Sequence, residues 1–385
     1  MLRRQLKKLI IHGSNRKYET LNTVTLDEKR ALSNLAYIQK QHPDFGIIPV
    51  LKANAYGHGE AEMAHILNGA NCAFLAVDGY FEATKIRHIT RHKILVLGYI
   101  KPENARLLDT HKCSFVVQDI AGLEALAALN KTVRIHLEIN TGMNRLGLSE
   151  NELEPYLDTL KKYPKLKLEG VMTHLADADN ASSDAFTDNQ VKVFDAAVQK
   201  IKDTGFNPEY IHIAQTAGST KARSTLANSL RLGIGLYGLS PLDPSDAHFK
   251  ELRGLQPVLE LTSTIIKIID LKKGDRVSYN GIFTAPHAMK IGILPLGYYE
   301  GVPRELSNKG FVTYKSQELP IVGRVCMNHT IIDVSHARCQ VGNQVVVISK
   351  QPTDANSIER MSREHQLFNY SLVTKLSSSV RRTVA

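Results

Sequence analysis

The sequence predicts an α/β protein: a (β/α)8 TIM barrel followed by a C-terminal all-β domain. Three observations carry this. Between residues 47 and 234, eight short apolar runs alternate with amphipathic stretches, the pattern of parallel strands covered by helices on both faces. After about Arg253 the helical periodicity stops, and β-branched runs separated by Gly-containing turns take over, as in a separate β domain. The length of 385 residues suits two domains of roughly 100–200 residues each. Eight strand–helix units match a barrel; one strand fewer would leave a doubly wound open sheet.

In chain order, residues 1–20 read as a basic extension. Leu26–Gln41 reads as a helix, with Thr25 as N-cap and Glu28 three positions later, a capping-box spacing. The strand runs are Ile47–Leu51, Phe74–Val77, Ile94–Leu97, Phe115–Val117, Val133–Ile139, Leu168–Met172, Tyr210–Ile213 and Leu230–Ile234. The helical segments between them are Glu60–Leu67, Tyr80–Ile89, Asn104–His111, Ile120–Leu129, Glu150–Tyr163, Asp184–Lys202 and Ala217–Ala227. The barrel, read over residues 21–252, gives way in the Pro- and Asp-rich stretch Pro241–Arg253. The β domain then spans 253–385, with strands expected over 258–269, Lys290–Leu294, Ile321–Val325, Thr330–Val334 and Gln344–Ile348.

Composition excludes several classes. The chain is 43% hydrophobic and 22% charged, which is globular and not disordered. No apolar run approaches the ~18 residues of a membrane span. The net charge is +10, but residues 1–17 hold six cations and no acid, leaving +4 for the rest; this is weak support for nucleic-acid binding. That tail lacks the apolar core of a secretory signal. Four cysteines without CxxC spacing argue against a zinc site or disulfide framework and fit a reducing cytoplasm.

Three segments carry chemistry. In Val50-Leu51-Lys52-Ala53-Asn54-Ala55-Tyr56-Gly57-His58-Gly59 an apolar strand ends in a lysine, at the end of the barrel where catalytic groups sit. Desolvation there would lower the lysine's pKa and free its amine for Schiff-base chemistry; a lysine snorkelling from a strand edge has the same pattern. Arg231-Leu232-Gly233-Ile234-Gly235-Leu236-Tyr237-Gly238 closes the eighth unit. Its glycines suit an anion-binding loop of a barrel, with Thr216 adding a hydroxyl, or simply a Gly-rich exit. Its formal GxGxxG is not in a first βα unit, so a dinucleotide fingerprint is rejected. Asn140-Thr141-Gly142-Met143-Asn144-Arg145-Leu146-Gly147 puts an arginine after the fifth strand, where its planar fork would meet a carboxylate or phenolate; alone, a surface arginine reads the same. His136, in a strand pattern, reads as a packed histidine. No metal-ligand cluster, P-loop or nucleophile elbow is present.

Taken together, the Lys52 segment, the Arg145 segment, Gly170-Val171-Met172-Thr173-His174, the Arg231 segment, Val277-Ser278-Tyr279, Gly297-Tyr298 and Gly323-Arg324-Val325-Cys326-Met327 resemble, in order, segments of the alanine racemase family. The resemblance covers about residues 21–382 and implies a pyridoxal 5'-phosphate-dependent, homodimeric, cytoplasmic isomerase interconverting L- and D-alanine for peptidoglycan. It implies that Lys52 holds the cofactor as a Schiff base and serves as the base on one face of Cα. Tyr279, supplied by the partner subunit, is the base on the other face. Arg231 faces the pyridine nitrogen as a donor that accepts no proton, so the cofactor is a weaker electron sink. Arg145 contacts the phenolate oxygen and the substrate carboxylate. His174 lies beside Arg231. Tyr56, Thr216, Gly233, Ile234 and Tyr370 bind the phosphate, and Met327 offers its backbone N–H to the substrate.

Departures from the family pattern define the open points. Glu138 stands seven residues before Arg145, where the family usually has a carbamylated lysine, and is expected to supply that carboxylate directly or to turn away. Asn328 and Tyr299-Glu300 alter the substrate entrance. They leave a serine or broad-specificity racemase as the alternative; a non-catalytic carrier of the cofactor would lack the β domain.

Overall fold

The computed structural model describes residues 18–385, so the charged part of the N-terminal extension lies outside the described residues. Strand β1 is Asn22–Leu26. Eight parallel strands come after it: β2 (Gly46–Pro49), β3 (Phe74–Val77), β4 (Lys93–Val96), β5 (Cys113–Val117), β6 (Val133–Glu138), β7 (Leu166–Met172), β8 (Tyr210–Ala214) and β9 (Ser229–Leu232). They lie in the order β2-β9-β8-β7-β6-β5-β4-β3. The two ends of this sheet meet where Val50 bridges Ala76 and Leu51 N–H donates to Ala76 O at 2.7 Å. The sheet is therefore a nearly closed barrel and not an open doubly wound sheet.

Strand alternation builds two cores. Outward side chains such as Ile47, Leu75, Val77, Ile94, Val96, Phe115 and Val117 pack under the helices. Inward ones, Ile48, Val50, Phe74, Ala76, Leu95, Val116 and Met172, fill one part of the barrel interior. Strand β6 breaks the apolar rule. Val133, Ile135 and Leu137 join the outer core, while Arg134, His136 and Glu138 alternate with them.

The expected helices differ mainly at their ends. The helix expected over 104–111 is absent; a 3-10 stretch, Pro102–Leu107, takes part of its place. The segment after β8 is a helix for Thr216–Lys221 alone, capped by Gln215, whose side chain accepts from Gly218 N–H. The first helix is Glu28–Gln41, and its N-cap is Asp27, not Thr25; the Asp27 side chain accepts from Arg30 N–H at 3.1 Å. Thr25 is committed to β1, opposite Glu260 and Thr383, so extended pairing outcompetes the capping box.

The C-terminal strands are β10 (Leu259–Thr264), β11 (Lys267–Leu271), β12 (Arg276–Val277), β13 (Phe283–Thr284), β14 (Met289–Leu294), β15 (Phe311–Tyr314), β16 (Gln317–Pro320), β17 (Thr330–Asp333), β18 (Gln344–Ile348) and β19 (Arg381–Val384). With β1 they form a six-stranded sheet, β16-β15-β18-β10-β1-β19, a three-stranded one, β11-β14-β17, and a two-stranded one, β12-β13. Strand β1 precedes the barrel in sequence yet pairs with β10 and β19, so the sheet of the second part is completed by the chain's N-terminal side. Buried Asn34 ties the parts together: its amide donates to Leu236 O and Gln256 O, and its oxygen accepts from Gln256 N–H.

Candidate active site at the mouth of the barrel

Strand β2 ends at Pro49, three residues before Lys52, and the chain then enters a left-handed turn. Ala53, Asn54, Ala55 and Tyr56 have φ of 54°, 55°, 52° and 52°. L-residues pay about 1–2 kcal/mol each for that conformation, so the surroundings must enforce it. Glu82 does so by accepting from Ala53 N–H at 2.8 Å and Asp78 N–H at 2.7 Å. The Asn54 side chain accepts from Glu60 N–H. Gly57 has φ +81°, and a Cβ there would lie 1.8 Å from Val373 O, so the helix Asn369–Thr374 docks directly on the loop. Lys52 is not sheathed in apolar strand as expected. Its side chain is 37% exposed, with Nζ 3.7 Å from Asp78 Oδ1.

Lys52 opens on a cavity of about 340 Å³ that Tyr56, Glu138, Arg145, His174, Arg231 and Gly233 also line. These residues come from the C-terminal ends of different strands, where a barrel gathers its chemistry. Arg231, on β9, is 3% exposed. Its Nη1 donates to His212 Nδ1 and His212 O, both at 2.9 Å, and its Nη2 donates to Thr173 O at 2.6 Å. Burial pulls its pKa down to about 10, which leaves it a cation at neutral pH. His174 Nδ1 stands 3.4 Å from Arg231 Nη2. Burial, then Arg231, Arg145 and Lys52, push His174 down to about 3, so it is neutral. Arg145 is presented by a loop whose base is closed by Asn140 N–H to Leu148 O and Leu148 N–H to Glu138 O, each 2.8 Å.

Glu138 is 5% exposed and accepts from Gln118 Nε2 at 3.3 Å. Among the described residues no ion pair joins it to Arg145; its charge is felt instead by Arg231. Of the two expectations for Glu138, a carboxylate that orients Arg145 or one that turns away, the geometry matches the second: the carboxylate is turned toward Gln118.

The glycine loop lies beside the cavity. A Cβ at Gly233 would lie 2.8 Å from the Tyr56 hydroxyl, so a glycine is what lets that hydroxyl come this close to the loop. Thr216 is 2% exposed, and its Oγ1 accepts from Gly235 N–H at 3.1 Å. Ile234 starts the turn Ile234–Tyr237. Tyr56 packs near Tyr237 and Tyr370, at 5.2 and 6.1 Å between ring centroids; burial raises Tyr56 to about 12 and raises Tyr370 as well.

Tyr279 and Met327 are not at this cavity. They stand 67% and 55% exposed on the C-terminal part, on neighbouring loops joined by Ser278 Oγ donating to Arg324 O at 2.7 Å. Tyr298 and Tyr299, also exposed, hang from the same segment through N–H bonds to Cys326 O and Met327 O. Sequence reasoning missed His212. Its signal was the Tyr210-Ile211-His212-Ile213 alternation, which puts a polar ring inside a strand whose other face is apolar.

Comparison with known proteins agrees with this architecture. The family model "Alanine racemase, N-terminal domain" matches residues 26–241, and "Alanine racemase, C-terminal domain" matches 258–384. Alanine racemase of Staphylococcus saprophyticus is 32% identical over 374 residues, 95% of each chain. That of Geobacter sp. is 32% identical over 373 residues, 93% of this chain and 97% of the relative. Among solved structures, alanine racemase from Bacillus anthracis with bound L-Ala-P superposes with a TM-score of 0.87 at 29% identity, covering 96% of both chains. A Streptomyces lavendulae alanine racemase shares the fold, with a TM-score of 0.87 at 22% identity over 96% of this chain and 98% of that one. The chain belongs to the alanine racemase family.

Proposed function

We propose that this protein interconverts L- and D-alanine with pyridoxal 5'-phosphate, as a cytoplasmic homodimer whose active sites are shared between subunits, and so supplies D-alanine for peptidoglycan. The observation that carries the reading is the convergence of Lys52, Arg145, His174 and Arg231 on one cavity, with the Tyr56 hydroxyl seated against Gly233 at its edge. The residues fit the cofactor. Three cations face two carboxylates, Glu138 and Asp78, which suits a phosphorylated, anionic group. Among the described residues the backbone N–H groups of Gly233 and Ile234 have no hydrogen-bond acceptor within the chain, as a phosphate cradle requires. Tyr56, Thr216 and Tyr370 would complete it, Thr216 by holding Gly235 in place.

Bound there, the cofactor acidifies the Cα–H of the amino acid. Arg231 would donate to the ring nitrogen and withhold a proton from it. Neutral His174 would keep that guanidinium's second edge in place. Arg145 and the Met327 N–H would hold the substrate carboxylate. Racemisation needs a base on each face of Cα: Lys52 Nζ on one and Tyr279 Oη on the other. Tyr279 stands exposed and does not line its own chain's cavity, which supports its delivery to a second copy, with Tyr298, Tyr299 and Met327 on linked loops. No helix among the described residues is long and apolar enough to cross a membrane.

A circular-dichroism time course with L-alanine tests the activity: loss of the signal toward zero is expected, and a flat trace with an intact cofactor band overturns it. For Tyr279→Ala, the cofactor band should persist while Cα-proton exchange of one enantiomer outlasts racemisation. Equal loss for both enantiomers would sink the two-base assignment. Serine turnover comparable with alanine would instead favour the broad-specificity reading raised by Asn328 and Glu300.

A further inference from the structure

Behind Arg231 the barrel interior holds a polar chain whose other members, His212, His136 and Glu169, have no role in the proposed reaction. It starts at Arg231 at the mouth and runs to Glu169 near the opposite end. Arg231 Nη1 meets His212 Nδ1 at 2.9 Å, His212 Nε2 meets His136 Nδ1 at 2.8 Å, and His136 Nε2, otherwise unpartnered and buried, faces Glu169 Oε2 at 3.4 Å. Both imidazoles are fully buried. Glu169, 8% exposed, also accepts from Ser114 Oγ, and its other oxygen lies 3.4 Å from Lys93 Nζ and from Arg134 Nε.

Proton bookkeeping gives this chain one direction. A guanidinium only donates, so His212 Nδ1 must be bare and its proton must sit on Nε2. That proton points at His136 Nδ1, which must then be bare, so the His136 proton sits on Nε2 and points at the carboxylate. An imidazolium at His136 is excluded: it would need a bare His212 Nε2 as well as a bare Nδ1. The fold makes room for the chain. A Cβ at Gly170 would lie 2.2 Å from His136 Nδ1. Phe74 meets the His136 ring edge-on at 5.5 Å and Tyr210 stacks on it at 6.2 Å. The strand registers slip at Ile135/His136 and at His212/Ala214, the kind of bulge that re-aims side chains.

We propose that Glu169 is a positioning residue for Arg231. Its carboxylate holds both imidazoles in the Nε2–H tautomer and so keeps His212 Nδ1 available to orient the guanidinium. The functional part of this rests on the reading of Arg231 as the contact to the cofactor ring. The chain explains how a buried guanidinium that also feels the charge of Glu138 stays fixed: a second negative charge acts on it through two neutral rings.

The test begins with the unaltered holoenzyme labelled with 15N-histidine. NMR should find His136 and His212 neutral and in the Nε2–H tautomer; an Nδ1–H tautomer or an imidazolium at His136 overturns the proposal. Glu169→Gln keeps the shape and removes the charge. It should displace the His136 and His212 resonances even in cofactor-free protein, and weaken pyridoxal phosphate binding about tenfold. Unchanged resonances and affinity would overturn the relay. Arg231→Lys separates the two readings. If it leaves cofactor affinity intact, the assignment of Arg231 fails while the resonances still judge the relay. If it weakens binding and Glu169→Gln does not, the relay alone fails. Should Glu169→Gln not fold, Glu169→Asp, which keeps the charge but draws it back from His136, carries the same test: the His136 and His212 resonances should shift, and unchanged ones overturn the relay.

Discussion

Replacing His58 by Phe should flatten the acid sensitivity of the fold by one proton. His58 lies just beyond the left-handed turn, is 1% exposed, packs its ring 4.3 Å from that of Tyr237 and places Nδ1 3.1 Å from Tyr56 O. Burial pushes its pKa down to about 4, against the raising effect of the carbonyls of Tyr56 and Ala55. In the unfolded chain it returns to about 6.5. Below that pH the unfolded state takes a proton that the folded state refuses. The contribution of His58 is therefore fully present above about pH 6.5, falls as pH drops, and levels off near pH 4. That difference amounts to about 3 kcal/mol at roughly 1.36 kcal/mol per pKa unit. Phe keeps the ring packing but loses the hydrogen bond to Tyr56 O, about 1 kcal/mol. Urea midpoints at one protein concentration, from pH 7.5 to 4.5, measure both effects. The variant should be less stable at pH 7.5 and more stable at pH 4.5, with the curves crossing near about pH 6. The other buried histidines titrate in both proteins and cancel. A difference that does not change with pH would refute a neutral, buried His58.

Three further outcomes are expected. Gly57→Ala should destabilise by at least about 2 kcal/mol and loosen cofactor retention, because its Cβ would meet Val373 O at 1.8 Å at φ +81°; thermal unfolding and the cofactor absorbance band report it. Lys221→Met should lose about 3–5 kcal/mol by stranding Asp246, whose Oδ2 lies 2.7 Å from Nζ in a buried pair, and adding Asp246→Asn should restore much of this in denaturant melts. Asn328→Asp should lose about 1–3 kcal/mol at pH 8, since Asn328 Nδ2 donates to Glu300 Oε1 at 2.7 Å while Gly297 N–H holds Oε2; Glu300→Gln in the same protein should recover it, and no recovery would mean the pair is not the cause.

Much of the site could be read along the chain because its parts are local. The Lys52 loop, the Arg145 loop and the glycine turn each carry their residue types within a few positions, and the alternation of apolar runs announces parallel strands. Other features were not local. Thr25 looked like a helix cap until β10 and β19 claimed it. Glu138 looked like a partner for Arg145 from seven residues away, but the loop between them bends back and Gln118, on a different strand connection, receives the carboxylate.

The sequence by itself determined the order of the eight barrel strands and the side chains brought to the barrel mouth, because period-2 and period-3.6 patterning and turn residues act over short distances. Only the tertiary structure decided that the first strand completes the last sheet. It alone aligned Arg231, His212, His136 and Glu169 from four strands into one chain, and turned Tyr279 outward from its own cavity. Those outcomes depend on which strands become neighbours and on which faces close against each other. Contacts between residues tens or hundreds of positions apart are set by packing, and no local pattern encodes them.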